Sequence, residues 1–146
     1  MALSPADGKV FEVVTGGGFT TVKIFMSIMN VHVQRAPVDG KVVSQSYKPG
    51  KFMHAMDRRA DSENEQKETV VDSGGSEVRI KQVAGIIARR IVTWVDEGEE
   101  VIQGQRIGMI KFGSQVDITV PDSYDIKVSS GQKVTAGITV IGEVKK

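Results

Sequence analysis

The 146-residue sequence contains no cysteine. Disulfide frameworks, thiolate metal sites and cysteine nucleophiles are therefore excluded, and the redox compartment stays open. Histidine is nearly absent as well, with only His32 and His54 available for proton transfer near neutral pH. Net charge is small, since 19 lysines and arginines face 18 aspartates and glutamates. A chain so balanced lacks the field that gathers nucleic acid, and nucleic acid is not expected as a partner. Long hydrophobic runs are missing too. The longest apolar stretches, around Ile24 to Met29 and Val83 to Ile87, are broken well short of the ~20 residues that span a bilayer. Neither a transmembrane segment nor a signal peptide ahead of the first motif is expected.

What the chain has in abundance is punctuation. Its 16 glycines and 4 prolines separate short runs rich in valine and isoleucine, among them "GKVFEVV", "TTVKIF", "QRIGMIKF" and "QVDITVP". That spacing predicts a mainly β fold of short strands with little helix, organised as one domain over residues 1–146. In "VDITV", Val116, Ile118 and Val120 share one strand face and Asp117 and Thr119 the other, as a strand buried on one side requires. The charged stretch "MDRRADSENEQKET", Met56 to Thr69, reads as a loop with at most a helical turn.

Two internal echoes add architecture. "SPADGKV" at Ser4 to Val10 recurs as "APVDGKV" at Ala36 to Val42, and proline followed by Asp-Gly makes each copy a sharp corner that launches a strand. Later, "DEGEEVIQGQRIGMI" and "VSSGQKVTAGITVIGE" each set a glycine turn, a valine-bearing strand, another glycine and an apolar strand in series. Glycine-cornered repeats of this kind predict two interlocked β layers, a barrel-sandwich hybrid-like arrangement.

Between the strand-like runs of "GMIKFGSQVDITVP" lies Gly113-Ser114. By themselves these two residues read as a bulge with a solvent-facing hydroxyl. His32 alone reads as a histidine hydrogen-bonded to backbone, and Gly16 to Gly18 as a hairpin loop. The adjacent Arg89 and Arg90 would point to opposite faces of a strand. The Met26, Met29, Met53 and Met56 side chains read as core packing.

The same residues also carry a collinear pattern. "SPADGKV", "NVHVQRAPVDGKV", "YKPGKF", the "NE" of "ADSENEQ", "VAGIIARRIV", "GQRIGMIKFGSQVDITVP" and "GQKVTAGITVI" occur in the order and approximate spacing of the phosphatidylserine decarboxylase family. Over almost its whole length the chain most resembles the short bacterial and archaeal form, which includes the archaetidylserine decarboxylases. The resemblance implies a self-processing proenzyme. The Ser114 hydroxyl would attack the Gly113 carbonyl, the ester would undergo β-elimination, and the dehydroalanine left behind would hydrolyse to a pyruvoyl group. Two chains would result, residues 1–113 and 114–146. The pyruvoyl group is the implied cofactor, with no metal. Such a carbonyl forms a Schiff base with an amine and takes up the charge left when carbon dioxide departs. The implied substrate is a serine-headed phospholipid, phosphatidylserine or archaetidylserine, and the product its ethanolamine-headed counterpart.

Residue roles follow from the resemblance position by position. In the longer bacterial members an aspartate of the Pro-x-Asp-Gly corner and a histidine assist self-cleavage; Asp7 matches that aspartate, and His32 matches the first histidine of their His-x-x-His-x-Pro motif, associated with decarboxylation. Arg35 stands where the second histidine is expected. Two arrangements for the cleavage base remain: His32 serving both reactions, or Asp7 acting with Arg35 as electrostatic partner. Arg35, Arg89 and Arg90 are the candidate cations for a lipid phosphate. Asp39 reads as a turn former and His54 as structural. Family members carry a further N-terminal hydrophobic segment, whereas this sequence starts almost at the first corner. Peripheral contact with the cytoplasmic side of the membrane is accordingly expected through a shallow apolar rim, within one chain or shared across a homo-oligomer. The two self-cleaved chains are expected to stay associated. The alternative is a non-catalytic barrel-sandwich carrier or phosphotransfer domain, in which His32 and His54 would pass a phosphoryl group. Biotinyl and lipoyl carriers need a lysine hairpin such as "MKM" or "DKA", and neither occurs.

Overall fold

The computed structural model describes residues 1–27, 33–50, 64–85, 91–110 and 114–145. These residues form fourteen strands: β1 (Ala2–Leu3), β2 (Gly8–Gly16), β3 (Phe19–Met26), β4 (Val33–Arg35), β5 (Gly40–Lys48), β6 (Gln66–Ser73), β7 (Ser76–Val83), β8 (Ile91–Thr93), β9 (Glu100–Val101), β10 (Arg106–Ile110), β11 (Ser114–Pro121), β12 (Tyr124–Ile126), β13 (Lys133–Val134) and β14 (Val140–Val144). There is no helix among the described residues, and so none long and apolar enough to cross a membrane. The expected mainly β, barrel-like fold is what the chain adopts.

An eight-stranded sheet of order β13-β2-β3-β11-β7-β6-β5-β9 curls into a half-barrel, and two three-stranded sheets, β1-β14-β12 and β4-β10-β8, accompany it. Its central pair, β11 and β7, marks a pseudo-two-fold axis. On one side, Gly8 and Lys9 of β2 face Val134 and Lys133 of β13; on the other, Gly40 and Lys41 of β5 face Val101 and Glu100 of β9. Register shifts recur at equivalent places, between Val10 and Glu12 and between Val42 and Ser44. Backbone hydrogen bonds cross the axis reciprocally, from Leu3 N to Pro37 O at 2.9 Å and from Arg35 N to Pro5 O at 2.8 Å. Both sequence echoes are thus parts of one structural repeat, with seven strands in each half.

The repeat extends to a pair of segments that the echoes alone do not reveal. "GSEVRI" at Gly75 to Ile80 opens β7, and "GSQVDI" at Gly113 to Ile118 runs into β11. Ser76 faces Ser73 on β6, as Ser114 faces Met26 on β3. In one half the pair of strands is joined by the tight Gly74-Gly75 turn, where both glycines have positive φ. In the other half, the sequence between β3 and β11 builds the entire second repeat.

Alternation places the core. Val116, Ile118 and Val120 of β11 are buried against Val22 and Ile24 of β3 and Val78 and Ile80 of β7, within one cluster that also includes Val10, Val42, Val71 and Ile141. Two expectations change. Asp117 is on the face opposite the core, as alternation predicts, but it is 2% exposed rather than solvated, because β11 is central and its flanking strands place Lys23 and Lys81 opposite it. The charged stretch of Met56 to Thr69 does not end as a loop, since Gln66 to Thr69 already belong to β6. Their charges face cross-strand partners, as Glu68 does with Arg79 at 3.3 Å, which suits a strand better than solvated coil. Residues 51–63 of that stretch lie outside the described residues.

Candidate functional site

Ser114 heads the central strand and is fully buried. It lies on the inner, core-bearing face of the sheet opposite Met26, and polar side chains gather around that point. Gln82 of β7 is opposite Val116, one step further along the same face. Thr93 Oγ1 donates to Gln82 Oε1 at 3.3 Å, Gln82 Nε2 donates to Gln34 Oε1 at 2.9 Å, and Gln34 Nε2 donates to Met26 Sδ at 3.5 Å. A chain of amides thus runs through the core to the residue facing Ser114. Room for it comes from Gly108, where a Cβ would stand 2.9 Å from Gln82 Nε2 and 2.5 Å from the Val92 carbonyl oxygen.

A second polar group lies on the β7 and β6 side. Asn64 Nδ2 donates to the Ala84 carbonyl at 2.6 Å, and Ala84 N donates to the Glu65 carbonyl at 2.9 Å. The Tyr47 hydroxyl donates to the Glu65 carboxylate, and that bond is the first cause of a tyrosine pKa raised above its ordinary value. On the outer face, Glu12, Lys23, Asp117, Lys81 and Glu68 form a row of alternating charge across five strands. Lys23 to Glu12 is 3.3 Å, Lys81 to Asp117 3.7 Å, and Gln115 Nε2 donates to Asp117 Oδ1 at 2.6 Å.

Asp7 reaches the same end of the sheet. Lys9, Phe25 and Gln115 form one row across β2, β3 and β11, so the corner before Gly8 lies two strand spacings, about 10 Å, from the start of β11. Asp7 Oδ1 accepts from Ala136 N at 2.7 Å, and Asp7 lines a cleft of about 500 Å³ with Phe25, Ser27 and Thr135. Asp39 does the equivalent work in the other repeat, accepting from Gln103 N at 2.6 Å, which fits a turn former. Arg35 donates from Nη1 to the Gly104 carbonyl at 2.6 Å, and a Cβ on Gly137 would meet its Cδ at 2.9 Å. Its guanidinium therefore holds one of the two equivalent turns, and its aliphatic stem packs against the other. The remaining candidates, His32, Gly113, Arg89 and Arg90, lie outside the described residues, as does His54.

Sequence reading gave no role to Gln34 and Gln82, nor to Asn64 and Glu65, which it quoted only as the "NE" of the family pattern; all four are buried polar residues at the Ser114 end. For Gln82 a signal existed: in "VRIKQV" it continues the parity of Val78 and Ile80, which marks a polar side chain on a core face. None of the turns among the described residues carries the lysine that a carrier hairpin requires.

The profile of the family described as phosphatidylserine decarboxylase matches residues 1–142. The phosphatidylserine decarboxylase proenzyme of Chlorobaculum tepidum is 47% identical, with 98% of this chain and 69% of that protein covered. That of Chlorobium phaeobacteroides is 48% identical, over 96% of this chain and 69% of its own length. The putative archaetidylserine decarboxylase proenzyme of Methanosarcina mazei is 47% identical, over 98% of this chain and 66% of its own length. Matched from end to end in this way, with the serine of the Gly-Ser pair at the head of its central strand, the chain belongs to the phosphatidylserine decarboxylase family.

Proposed function

We propose that the chain is cut by its own Ser114, between Gly113 and Ser114, and that the resulting pair of chains decarboxylates a serine-headed phospholipid to the ethanolamine-headed lipid. Its membership among decarboxylase proenzymes gives the reaction type. The observation that carries the finer reading is the place of Ser114. It is fully buried at the first position of a strand held on both sides, by β3 from Ser114 to Pro121 and by β7 from Gln115 to Thr119. A break before Ser114 leaves residue 114 as a chain end fixed by its neighbours' hydrogen bonds. That fits a group made from the residue itself, which has to stay in register while the bond beside it is lost.

A pyruvoyl group at position 114 supplies a carbonyl that withdraws electrons from the substrate as carbon dioxide leaves. The rest falls to side chains of this protein. Burial of the Ser114 end keeps water from a carbanionic centre. The Gln82 and Gln34 amides fix Met26 opposite it. Asp7 lies at the same end of the sheet, and its part in activating the serine hydroxyl rests on the family pattern. His32, the other candidate base, keeps the role that the family pattern suggests, and one of the adjacent Arg89 and Arg90 stays a candidate cation for the lipid phosphate.

Contact with the cytoplasmic membrane surface is supported by two abutting turns. Ile102 is 71% exposed and Ile138 73%, beside Gly104 and Gly137, which are in near contact. Thr135, next to the second turn, lines the Asp7 cleft. An apolar pole beside the cleft suits a lipid substrate.

Purified protein should run as two fragments on a denaturing gel, with masses that place the break between residues 113 and 114. Ser114→Ala should leave one chain and release no carbon dioxide from vesicles containing phosphatidylserine. A wild-type chain that stays intact through long incubation overturns the processing step. Offering ester and archaeal ether lipids side by side decides which tail chemistry is used.

A further inference from the structure

Among the described residues, one buried side-chain oxygen has no hydrogen-bond partner, Oε1 of Glu65. The residue is 9% exposed, and its other carboxylate oxygen accepts from the Tyr47 hydroxyl. Buried polar atoms are nearly always paired, because leaving one unpaired forfeits its solvation. Lys67, two residues on along β6 and so on the same face, leaves Oε1 unpaired.

The ladder gives the position of this oxygen relative to the reaction. Gln66 faces Val83, and Val83 faces Gln115. One residue nearer the strand ends, Ala84 N donates to the Glu65 carbonyl, and Ser114 faces Met26. The row therefore reads Glu65, Ala84, Ser114, Met26. Parity puts Ser114 with Val116 and Ile118 on the inner face, Ala84 with Gln82 and Ile80, and Glu65 with them opposite Ala84. Two strand spacings, about 10 Å, separate the Cα atoms of Glu65 and Ser114. The residue between them in the row contributes only a methyl group.

We propose that Glu65 Oε1 binds the primary ammonium of the substrate's serine head group and so turns the amine toward position 114. The inference rests on the decarboxylase reading above. An ionised carboxylate oxygen only accepts hydrogen bonds. Of the three charged groups on a serine phospholipid, the phosphate and the carboxylate are acceptors too and are repelled, whereas the ammonium is a cationic donor. Placed over Ala84, it forms a charge-assisted bond in a site shielded from water. Glu65 is thus a substrate-binding residue that selects which end of the head group meets the reacting atom.

The test separates binding from turnover. Dihexanoyl phosphatidylethanolamine, which keeps the ammonium, and dihexanoyl phosphatidylglycerol, which lacks it, are titrated by calorimetry into self-cleaved wild type and Glu65→Gln. The variant should still cut itself and should bind the ethanolamine lipid roughly tenfold or more weakly, the scale of one charge-assisted hydrogen bond. Its affinity for the glycerol lipid should not change, and kcat/KM for dihexanoyl phosphatidylserine should fall in parallel with the ethanolamine lipid. Equal ethanolamine binding in both proteins, or equal losses for both lipids, overturns the assignment. If Glu65→Gln does not fold, Glu65→Asp carries the same comparison, since it keeps the charge and withdraws it from the head group. A wild type that neither cuts itself nor releases carbon dioxide overturns the decarboxylase reading, and this inference with it. An active wild type whose lipid preference ignores residue 65 overturns this inference alone.

Discussion

Tyr47 reports on the carboxylate of Glu65 from the outside. Its hydroxyl donates to Glu65, and that bond first, then desolvation and the negative charge of Glu65, raise its pKa above the ordinary 10.0. A phenol raised in the folded state contributes stability that is fully present below its unfolded pKa, about 10. That contribution is lost as pH rises through the folded pKa, where a phenolate would confront the carboxylate. Tyr124 is also raised, by burial. Because the chain has only 2 tyrosines, an alkaline absorbance titration contains nothing else of this kind. In a Tyr124→Phe background the single remaining midpoint belongs to Tyr47, and Glu65→Gln should bring it down toward the ordinary value. An unmoved midpoint would mean that the two side chains do not meet in solution. The "NE" of "ADSENEQ" makes Glu65 part of the family pattern, but nothing in the local sequence shows its side chain turned inward. It lies in a run of charges, "ADSENEQ", where one more carboxylate looks like solvated coil, and only the pairing of β6 with β7 turns it inward.

At the scale of elements, the two Pro-x-Asp-Gly corners are readable and their consequence can be measured. A Cβ on Gly8 would lie 2.3 Å from the Phe25 carbonyl oxygen, and one on Gly40 2.3 Å from that of Asp72. The obstacle in each case is backbone of the neighbouring strand, which cannot step aside as a flexible side chain would. Gly8→Ala and Gly40→Ala should each destabilise the fold by about 1–3 kcal/mol, read as lowered urea midpoints. Gly16→Ala, where nothing lies within 4 Å, should stay within about 0.5 kcal/mol of wild type. Equal midpoints for all three would remove the steric argument. The corners were legible because proline, aspartate and glycine act on their own few residues. Asp117 shows where legibility stops: alternation gave its face correctly, but its burial depends on Lys23 and Lys81 arriving from strands far away in sequence. The match of "GSEVRI" with "GSQVDI" was hidden for a related reason. One copy follows a hairpin turn and the other follows the whole second repeat, so spacing gives no hint that they are equivalent.

For the molecule as a whole, that insertion decides what a break before Ser114 does. Residues 114–145 supply β11, β12, β13 and β14. β11 lies between β3 and β7, β13 pairs with β2, and β14 lies between β1 and β12, so the short fragment is laced through the long one rather than appended to it. It also brings Val116, Ile118, Val120, Val134 and Ile141 into the core, each 4% exposed or less. Burying a side chain of that size is worth about 1.5–3 kcal/mol, so five of them with the ladder bonds of β11 hold a fragment of this length firmly. Cut protein should therefore elute from a sizing column without denaturant as one species of 15.8 kDa or a multiple of it, and separate into two only on unfolding. Ile118→Ala tests whether β11 is the clasp. It removes a fully buried side chain from the central strand, should cost about 2–5 kcal/mol, and should lower the urea concentration at which the short fragment is released. Free dissociation of the wild-type fragment in native buffer, or release unaffected by Ile118→Ala, would show that something other than this central strand holds the two chains together.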